Sequence, residues 1–409
     1  MKEYLRWLKP VLEKALQTRR VVIVSGARQV GKTTLTKQIT LNDATFRTLD
    51  ETSFLTAALD DPADFLRHKN NPLIIDEIQK APFLLPEIKK IVDNDNTNGQ
   101  FILTGSANIY KLPTVNESLA GRVKNIHLRA LTEGEIQGVF PSFIEKLQKQ
   151  EFPEKIPNCS KENILNIALR GGYPEAVRLD KDDRKEWHND YLNALIEHDL
   201  KDIASVRKTE SLKELTKVLA AWSSKYLDLQ GLCSAIGISK PTLSEYLAVI
   251  NTLYLSHSLP SWIKSDYDRV ARSYKFYMTD TGFMSAILNW HYDDIAFDAD
   301  KYGKLIETFV FNELMAQIDL SLGLTLYQYR DRSNREIDFI LEDDKNHIFA
   351  IEVKGGSRVS VDDFKHIKWF KDNLVKEKEF LGIILYSGEN TLYFKDNLVA
   401  LPISILWEK

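Results

Sequence analysis

A strand, a glycine-bracketed loop and the start of a helix follow one another in residues 21–34, VVIVSGARQVGKTT. The five residues before the loop are apolar or small, as in a strand that is covered on both faces of a parallel sheet. The loop has the pattern GxxxxGK[ST], and this motif is meaningful where a strand precedes it and a helix follows it, as here. The stretch therefore predicts an α/β domain with a mainly parallel sheet.

The same loop predicts a site for nucleotide phosphates. Glycines allow backbone amides to curl around a β-phosphate, and the N–H groups at a helix start carry positive partial charge. We expect Lys32 to reach the β- and γ-phosphates of ATP and the Thr33 hydroxyl to bind Mg²⁺. Arg28 is expected to point toward a partner or solvent. The predicted nucleotide-binding residues are Gly26, Ala27, Arg28, Gln29, Val30, Gly31, Lys32, Thr33 and Thr34.

Two further apolar strands end in polar side chains. LIIDE, residues 73–77, places Asp76 where it can hold Mg²⁺ through water and Glu77 where it can polarise the attacking water. An acidic strand end that merely faces solvent is the alternative interpretation. Thr104 ends the strand FILT and is predicted to contact the γ-phosphate or the lytic water, unless its hydroxyl caps a helix or a turn.

Arg122, in SLAGRV, follows a polar loop close in sequence to these strands. A guanidinium group is suited to neutralising charge on a transferring phosphoryl group. Three roles are open for it: action in the site of its own chain, action across an oligomer interface, or capping of a helix.

Composition limits what the remaining chain can do. Hydrophobic residues make up 44% and charged residues 27% of the 409 residues, a globular balance in a chain long enough for two or three domains. The formal net charge of −4 provides no overall attraction to nucleic acid or to an anionic membrane, so any such binding must be local. The sequence contains no run of 18 apolar residues, so no membrane span is predicted. The isolated Cys159 and Cys233 favour reduced cytosol, which predicts a cytoplasmic protein.

The predicted organisation follows changes in sequence pattern. The alternating strands and helices of the first third predict a parallel-sheet domain over residues 1–140, with a last strand in the stretch 126–136. Residues 141–160 are polar, carry three prolines and predict a linker. A helical domain is predicted over 161–298, and a mixed α/β domain over 299–409.

Residues 229–260 have the pattern of a helix-turn-helix, with Gly237 at the end of one helix and Ser239 capping the next. A winged-helix-like segment over 229–280 is therefore predicted. From Leu227 to Phe276 there are five Lys or Arg and four Asp or Glu residues, a balance of only +1. Because a DNA-binding surface usually shows a basic cluster, packing or contact with a protein partner is favoured over reading of DNA bases. The basic residues that keep DNA binding open are Arg269, Arg272 and Lys275.

A second candidate site lies in FAIEVKGG, residues 349–356. Strand alternation puts Glu352 and Lys354 on one face. Asp338 on another predicted strand and Glu307 on the preceding helix supply two further carboxylates, so the set predicts a second divalent-cation site. An exposed Glu/Lys pair on a half-buried strand is the alternative. Basic residues that would suit a phosphate backbone, or equally form a solvated rim, are Arg330, Arg332, Arg335, Arg358, Lys365 and Lys368.

Together, GARQVGKTT, LIIDEIQKAP, LTGSAN and SLAGRV resemble AAA-type P-loop ATPases of bacteria and archaea that carry a C-terminal domain of uncharacterised function. GGYPEAV, residues 171–177, and the final third are similar to that C-terminal partner. The resemblance implies that the strand carrying Thr104 lies between the P-loop strand and the acidic strand. It also implies ATP hydrolysis, with Glu77 as base and Thr104 as sensor.

The order helix Glu, Asp, then ExK resembles the PD-(D/E)XK nuclease fold. This resemblance implies that Glu307, Asp338 and Glu352 bind Mg²⁺ and that Lys354 is catalytic. We therefore expect an ATPase whose nucleotide state controls a nuclease-like module that cuts or binds DNA. The alternative is a nucleotide-dependent switch or scaffold that binds DNA or a protein partner, with an inactive C-terminal domain. Oligomerisation is compatible with either hypothesis. A third hypothesis is that the C-terminal domain only mediates assembly.

Overall fold

The computed structural model describes residues 3–39, 44–106, 119–157, 160–199, 209–263, 274–321, 323–375 and 379–408. The chain forms two compact units. The N-terminal unit contains residues 6–130 and 248–255, and the C-terminal unit contains residues 1–5, 131–247 and 256–409. No helix in the described part of the chain is long and apolar enough to cross a membrane.

The N-terminal unit is built on a five-stranded parallel sheet of order β2-β3-β4-β1-β5. This order places the Thr104 strand β4 between the P-loop strand β1 and the acidic strand β3, as the family resemblance implied. The strands are β1 Val21–Ser25, β2 Thr45–Thr48, β3 Leu73–Asp76, β4 Phe101–Gly105 and β5 Val123–His127. The helices are α1 Lys9–Thr18, α2 Lys32–Ile39, α3 Thr52–Asp60, α4 Pro62–Phe65 and α5 Leu84–Asn94.

The central strands of this sheet are buried on both faces. Every residue of β1, β3 and β4 is buried, which explains why these segments are continuous apolar runs rather than alternating ones. Helix α5 turns Leu84, Leu85, Ile88 and Val92 into the same core. The polar side chains at the carboxyl ends of the strands therefore stand at the rim of a rigid layer.

The C-terminal unit combines helices with a small and a large sheet. The small sheet is antiparallel with order β6-β8-β7, formed by β6 Lys225–Tyr226, β7 Ser256–Leu259 and β8 Lys275–Met278. The helices are α6 Glu133–Gln137, α7 Phe143–Lys149, α8 Lys161–Arg170, α9 Lys181–Ala194, α10 Thr209–Ala221, α11 Leu229–Ile236, α12 Lys240–Thr252, α13 Thr281–Ile287, α14 Tyr292–Ala296, α15 Ala299–Ile318 and α16 Lys365–Phe370. The last five residues of α12 belong to the N-terminal unit.

The large sheet has six strands in the order β13-β14-β12-β11-β10-β9. The inner pairs β11–β12 and β12–β14 are parallel, and the outer pairs are antiparallel. The strands are β9 Leu324–Arg330, β10 Glu336–Asp343, β11 Ile348–Lys354, β12 Phe380–Tyr386, β13 Leu392–Phe394 and β14 Leu398–Pro402. The mixed α/β character predicted for this region is confirmed.

The predicted helix-turn-helix is present as α11, a turn, and α12. Gly237 ends α11 with a φ of 68°, a left-handed conformation that glycine adopts without steric cost. The Ser239 hydroxyl accepts a hydrogen bond from the Thr242 amide at 3.3 Å. Of the three basic residues singled out near it, Arg269 and Arg272 lie outside the described residues, and Lys275 is buried in β8.

The middle and C-terminal segments, predicted to be separate domains, form one compact unit. Tyr277 of β8 stacks on Phe311 of α15 with ring centroids 4.2 Å apart, and the hydroxyls of Ser223 and Thr308 are 2.8 Å apart. Aromatic packing and hydrogen bonding thus join the two segments. Because these contacts link residues far apart in sequence, they could not be predicted from either segment alone.

Residues 141–157 and 160 differ from the linker that was predicted for 141–160. Phe143 and Leu147 of α7 are fully buried. The Ile156 amide donates to the Glu389 carbonyl at 2.7 Å, and the Thr391 amide donates to the Glu154 carbonyl at 2.8 Å. Two buried apolar side chains and two backbone hydrogen bonds therefore fix this charged segment to the C-terminal unit. The stretch 126–136 also differs, since β5 ends at His127 and α6 begins at Glu133 behind a Thr132–Glu135 capping box.

Candidate functional sites

The phosphate-binding loop follows β1 and leads into α2. Gly26 and Gly31 have φ values of 155° and 94°, and Gln29 has a φ of 62°. A Cβ at Gly26 would lie 2.1 Å from the Leu128 carbonyl oxygen, so no larger residue fits there. Arg28, Gln29 and Thr34 are exposed, whereas Ala27 and Val30 are buried and anchor the loop.

Lys32 lies inside the loop rather than in solvent. Its Nζ donates to the carbonyl oxygens of Gly26 at 3.1 Å and Ala27 at 2.8 Å, and the residue is only 6% exposed. The ammonium is therefore held within the loop that the sequence predicts to surround a β-phosphate.

Two hydroxyl groups converge on the carboxylate of Asp76. The Thr33 hydroxyl donates to its carboxylate at 3.0 Å, and the Thr104 hydroxyl donates to the same carboxylate from the neighbouring strand. Three residues far apart in sequence, predicted to take part in one site, therefore lie together. A hydroxyl and a carboxylate are the hard oxygen ligands that Mg²⁺ prefers, so this pair fits a magnesium ion bound with nucleotide phosphates.

Glu77 adopts a left-handed conformation with a φ of 59°, which is rare for a non-glycine residue and common at functional sites. Its carboxylate accepts hydrogen bonds from the Gln79 amide and from the Ser106 hydroxyl, the latter at 3.2 Å. Glu77 is thus adjacent to Asp76 but held by two polar neighbours.

Arg122 is not brought to this site in its own chain. It immediately precedes β5, and its carbonyl accepts from the Val21 amide at the start of β1, whereas the phosphate-binding loop follows the other end of β1. Its guanidinium pairs with Asp93, with Nη2 at 3.1 Å from Oδ2. Closeness in sequence was misleading here because a strand carries its two ends to opposite edges of the sheet.

Sequence reasoning missed three residues around the loop. Arg6 is buried, and its guanidinium donates to the carbonyls of Val30 at 2.6 Å and Arg129 at 2.7 Å, which ties the loop to the segment after β5. Gln79 and Ser106 hold Glu77. Arg6 precedes α1 with no motif around it, so no sequence signal marked it. Ser106 could have been found, because it directly follows the strand that carries Thr104.

The second candidate site is a carboxylate cluster within the C-terminal unit, formed by Glu307 of α15, Asp338 of β10 and Glu352 of β11. A buried lysine lies among them. Lys275 Nζ is 2.6 Å from Glu307 Oε1 and 3.0 Å from Asp338 Oδ1, and its side chain is 4% exposed. Lys275 was one of the basic residues that kept DNA binding open, and its burial excludes contact with DNA in this conformation.

The hydrogen bonds of the cluster are mostly internal. Glu307 Oε1 also accepts from the Tyr277 hydroxyl at 2.6 Å, and Asp338 Oδ2 accepts from the Val353 amide at 3.0 Å. Lys354 is 3.4 Å from Glu352 Oε1, and its side chain is 36% exposed. The four residues of the nuclease-like pattern therefore lie near one another, as the sequence suggested.

The cluster nevertheless does not fit a divalent cation as it is arranged. Among the described residues, no three Asp, Glu, His or Cys side chains form a group that could hold a metal ion. The reason lies in the geometry: the Lys275 ammonium is within hydrogen-bonding distance of two of the three carboxylates. The second metal site predicted for Glu307, Asp338 and Glu352 is therefore not assembled in this conformation.

Burial and mutual repulsion change the ionisation of this cluster. Burial, reinforced by the Asp338 charge, raises the pKa of Glu307 to about 7 and that of Glu352 to about 8. Burial opposes the charge on Lys275, but its neighbours Glu307, Tyr277 and Asp338 raise its pKa well above the ordinary value. The lysine therefore stays charged while two of the carboxyl groups tend to hold protons.

These pKa values predict that thermal stability falls as the pH is raised from about 4.5 to about 8. Glu307 and Glu352 bind protons more tightly in the folded chain than in the unfolded one, so the resulting stabilisation is complete below the unfolded pKa. It is lost as the pH rises through the folded values of about 7 and about 8. Melting temperatures of wild type and Glu352→Gln should be compared across this range. The variant should lose less stability, and parallel curves would contradict the assignment.

Comparisons with known proteins agree with the geometry of the first site. Residues 18–137 match the family model described as an AAA domain. Residues 161–294 and 302–406 match two models described as domains of unknown function, DUF8612 and DUF4143. Residues 18–137 therefore have the fold of a P-loop ATPase domain.

Curated relatives match this chain over most of its length. Uncharacterised proteins of Mycobacterium tuberculosis and Mycobacterium bovis are each 27% identical to it over 394 residues, which is 96% of this chain and 82% of theirs. An uncharacterised protein of Methanocaldococcus jannaschii is 22% identical over 414 residues, covering 95% of this chain and 88% of its own.

Similar solved structures include a branch migration motor and a protein bound to AMPPCP. The Thermotoga maritima RuvB Holliday junction branch migration motor is 18% identical and covers 61% of this chain and 88% of its own, with a TM-score of 0.29. AMPPCP-bound DnaA from Aquifex aeolicus is 14% identical and covers 60% and 86%, also with a TM-score of 0.29. TM-scores this low do not support a domain assignment, so the assignment depends on the family match and the site geometry.

Proposed function

We propose that this protein hydrolyses ATP with Mg²⁺ and that its nucleotide state controls the C-terminal unit. The observation that carries the proposal is the convergence of Thr33 and Thr104 on the Asp76 carboxylate, next to Lys32 and Glu77. In phosphoryl transfer, catalysis consists largely of positioning and charge stabilisation, and these residue types supply both.

The residues have distinct roles in this reaction. Water attacks the γ-phosphorus of ATP, the bond to the ADP oxygen breaks, and Glu77 accepts a proton from the water as ADP and phosphate form. Lys32 exchanges its loop carbonyl partners for phosphate oxygens, and Thr104 orients the γ-phosphate or the water. Thr33 and, through water, Asp76 would hold Mg²⁺, which would neutralise charge on the phosphates. Glu77 is free to act once Gln79 and Ser106 release it.

A contact within the N-terminal unit supports coupling to the helix-turn-helix. Tyr254 follows α12, and its side chain hydrogen-bonds that of Ser25, the residue directly before Gly26. The Tyr254 ring also lies 4.6 Å from the His127 ring. A rearrangement of the loop on nucleotide binding would therefore act directly on the segment that ends α12.

The C-terminal unit is proposed to bind a polyanion such as DNA, with a protein partner contacted through the middle segment. Several basic residues near the carboxylate cluster in sequence have no ion-pair partner among the described residues: Arg332, Arg358, Lys365 and Lys368. Arg330 and Arg335 instead pair with Glu336 and Asp331, at 3.0 and 2.7 Å. The unpaired set suits phosphate contacts.

The proposed activity predicts metal-dependent release of phosphate from ATP. The full chain should release phosphate with Mg²⁺ and release only background amounts when EDTA removes the metal, because Thr33 and Asp76 alone leave the phosphate charges uncompensated. Asp76→Asn should require more Mg²⁺ for half-maximal turnover. Turnover that is unchanged by EDTA would contradict the proposal.

A second candidate function is phosphodiester cleavage by the C-terminal unit. The proximity of Glu307, Asp338, Glu352 and Lys354 favours it, whereas the position of Lys275 favours binding without cleavage. Supercoiled plasmid incubated with the wild-type chain and Mg²⁺ or Mn²⁺ should stay intact, with and without ATP. Nicking that disappears in Asp338→Ala would establish cleavage and reject the binding-only function.

A further inference from the structure

The carboxylate cluster contains its own cation. Lys275 Nζ donates to Glu307 at 2.6 Å and to Asp338 at 3.0 Å, from a side chain that is 4% exposed. Charge-assisted hydrogen bonds of this length between buried groups are strong and directional. The ammonium therefore has a fixed position among the carboxylates rather than a transient one.

The strand that supplies this lysine lies outside the six-stranded sheet. Lys275 opens β8 of the small antiparallel sheet, where it pairs with Leu259 of β7 and with Tyr226 of β6. Tyr277, two residues further along β8 and thus on the same face, donates to the same Glu307 oxygen. One face of β8 therefore presents an ammonium and a hydroxyl to the cluster.

The carboxylate oxygens closest to the lysine are occupied. Glu307 Oε1 accepts from both Lys275 and Tyr277, while Asp338 uses one oxygen for Lys275 and the other for the Val353 amide. A divalent cation would need these oxygens as ligands at short distances. It would also stand next to a buried positive charge, and in a buried site that repulsion is poorly screened.

Lys354, the lysine of the nuclease-like pattern, does not neutralise the carboxylates of the cluster as Lys275 does. It is 36% exposed and lies 3.4 Å from Glu352 Oε1, while Glu352 Oε2 has no hydrogen-bond partner among the described residues. The pattern residues thus leave one carboxylate oxygen free, and the internal charge balance of the cluster depends on a lysine from outside the pattern.

We propose that Lys275 replaces the divalent cation of a nuclease-like site, and that β8 keeps the C-terminal unit free of metal at this cluster. The carboxylates then serve to anchor β8 to α15 and β10. Withdrawal of Lys275 exposes a divalent-cation site made of Glu307, Asp338 and Glu352. This inference does not depend on ATP hydrolysis, in which the cluster takes no part.

Manganese binding to the full chain without nucleotide tests the proposal. Bound Mn²⁺ is measured by electron paramagnetic resonance in wild type, Asp338→Asn, Lys275→Met, and the Lys275→Met/Asp338→Asn double variant. Methionine retains much of the length and flexibility of lysine without its charge. Wild type and Asp338→Asn should bind the same amount, since weak binding near Thr33 and Asp76 is common to both. Lys275→Met should bind additional Mn²⁺, and the double variant should lose it.

Two results would overturn the proposal. One is wild-type Mn²⁺ binding that falls in Asp338→Asn, because metal would then enter the cluster beside Lys275. The other is a folded Lys275→Met chain, verified by circular dichroism, that binds no more Mn²⁺ than wild type. Should Lys275→Met fail to fold, the comparison of wild type with Asp338→Asn still decides the outcome, since equal binding supports the proposal and unequal binding rejects it.

Discussion

Glu77→Gln should lower ATP turnover by about 10²- to 10⁴-fold while ATP binding is retained, the loss expected for removal of a general base. Glutamine has nearly the same shape and can still contact Gln79 and Ser106, but it cannot accept the proton of the attacking water. Binding depends on the loop from Gly26 to Thr33, which the substitution does not touch. The effect should therefore appear in kcat rather than in the dissociation constant for ATP.

Two measurements separate these effects. Phosphate release at saturating ATP reports turnover, and equilibrium binding of a fluorescent ATP analogue reports affinity. Glu51→Gln is a matched control, because Glu51 is an exposed glutamate of the same unit with no side-chain hydrogen bond at its helix end, and it should behave as wild type. Wild-type turnover in Glu77→Gln would remove Glu77 from the mechanism.

Lys275→Met should destabilise the C-terminal unit by about 3–5 kcal/mol, the cost of removing one partner from a buried charge pair. Glu307 and Asp338 would be left without the ammonium that neutralises them and satisfies their hydrogen bonds. Lys354→Met is the matched control. Since Lys354 is 36% exposed and its ion pair is long, its removal should cost at most about 1 kcal/mol.

The two lysine variants should be compared by urea denaturation in metal-free buffer near neutral pH. Far-ultraviolet circular dichroism follows unfolding of the whole chain. Tryptophan fluorescence reports more strongly on unfolding of the C-terminal unit, because Trp262 lies close to Phe370 in the core of that unit. Equal losses in the two variants would show that Lys275 is no more important to the fold than a surface lysine.

Much of the N-terminal unit could be predicted from sequence because its determinants are local. Buried parallel strands are continuous apolar runs, and VVIVS was predicted with the same bounds as β1. The glycine pattern predicted the phosphate-binding loop, and the polar residues at the carboxyl ends of β3 and β4 meet because parallel strands end at one edge of a sheet. Thr33, Asp76 and Thr104 were therefore expected together and are found together.

Contacts that depend on tertiary packing were not predictable in the same way. Arg122 is near the site strands in sequence, but it precedes a strand instead of ending one, and it pairs with Asp93. Lys275 lies in the predicted winged-helix-like segment and was named among the basic residues that kept DNA binding open. Its position between Phe276 and Tyr274 in a short aromatic strand was a hint of burial, but only the fold shows that β8 faces α15 and β10.

The nuclease-like pattern illustrates the difference between a motif and a site. Glu307, Asp338, Glu352 and Lys354 follow the order of the pattern, and the fold brings them near one another. The pattern gave no information about Lys275, a fifth residue that another segment of the chain supplies. Because a buried charge changes what neighbouring carboxylates can bind, that residue determines the chemistry available to the cluster.

The most direct test of the ATPase assignment compares phosphate release from ATP by wild type and Lys32→Ala, each with Mg²⁺ and at matched concentration. The structure holds the Lys32 ammonium inside the loop that follows β1, where it can contact transferring phosphates. Wild type should turn over ATP and Lys32→Ala should fall to background. Equal rates in the two proteins, or no turnover above background in wild type, would contradict hydrolysis at this site.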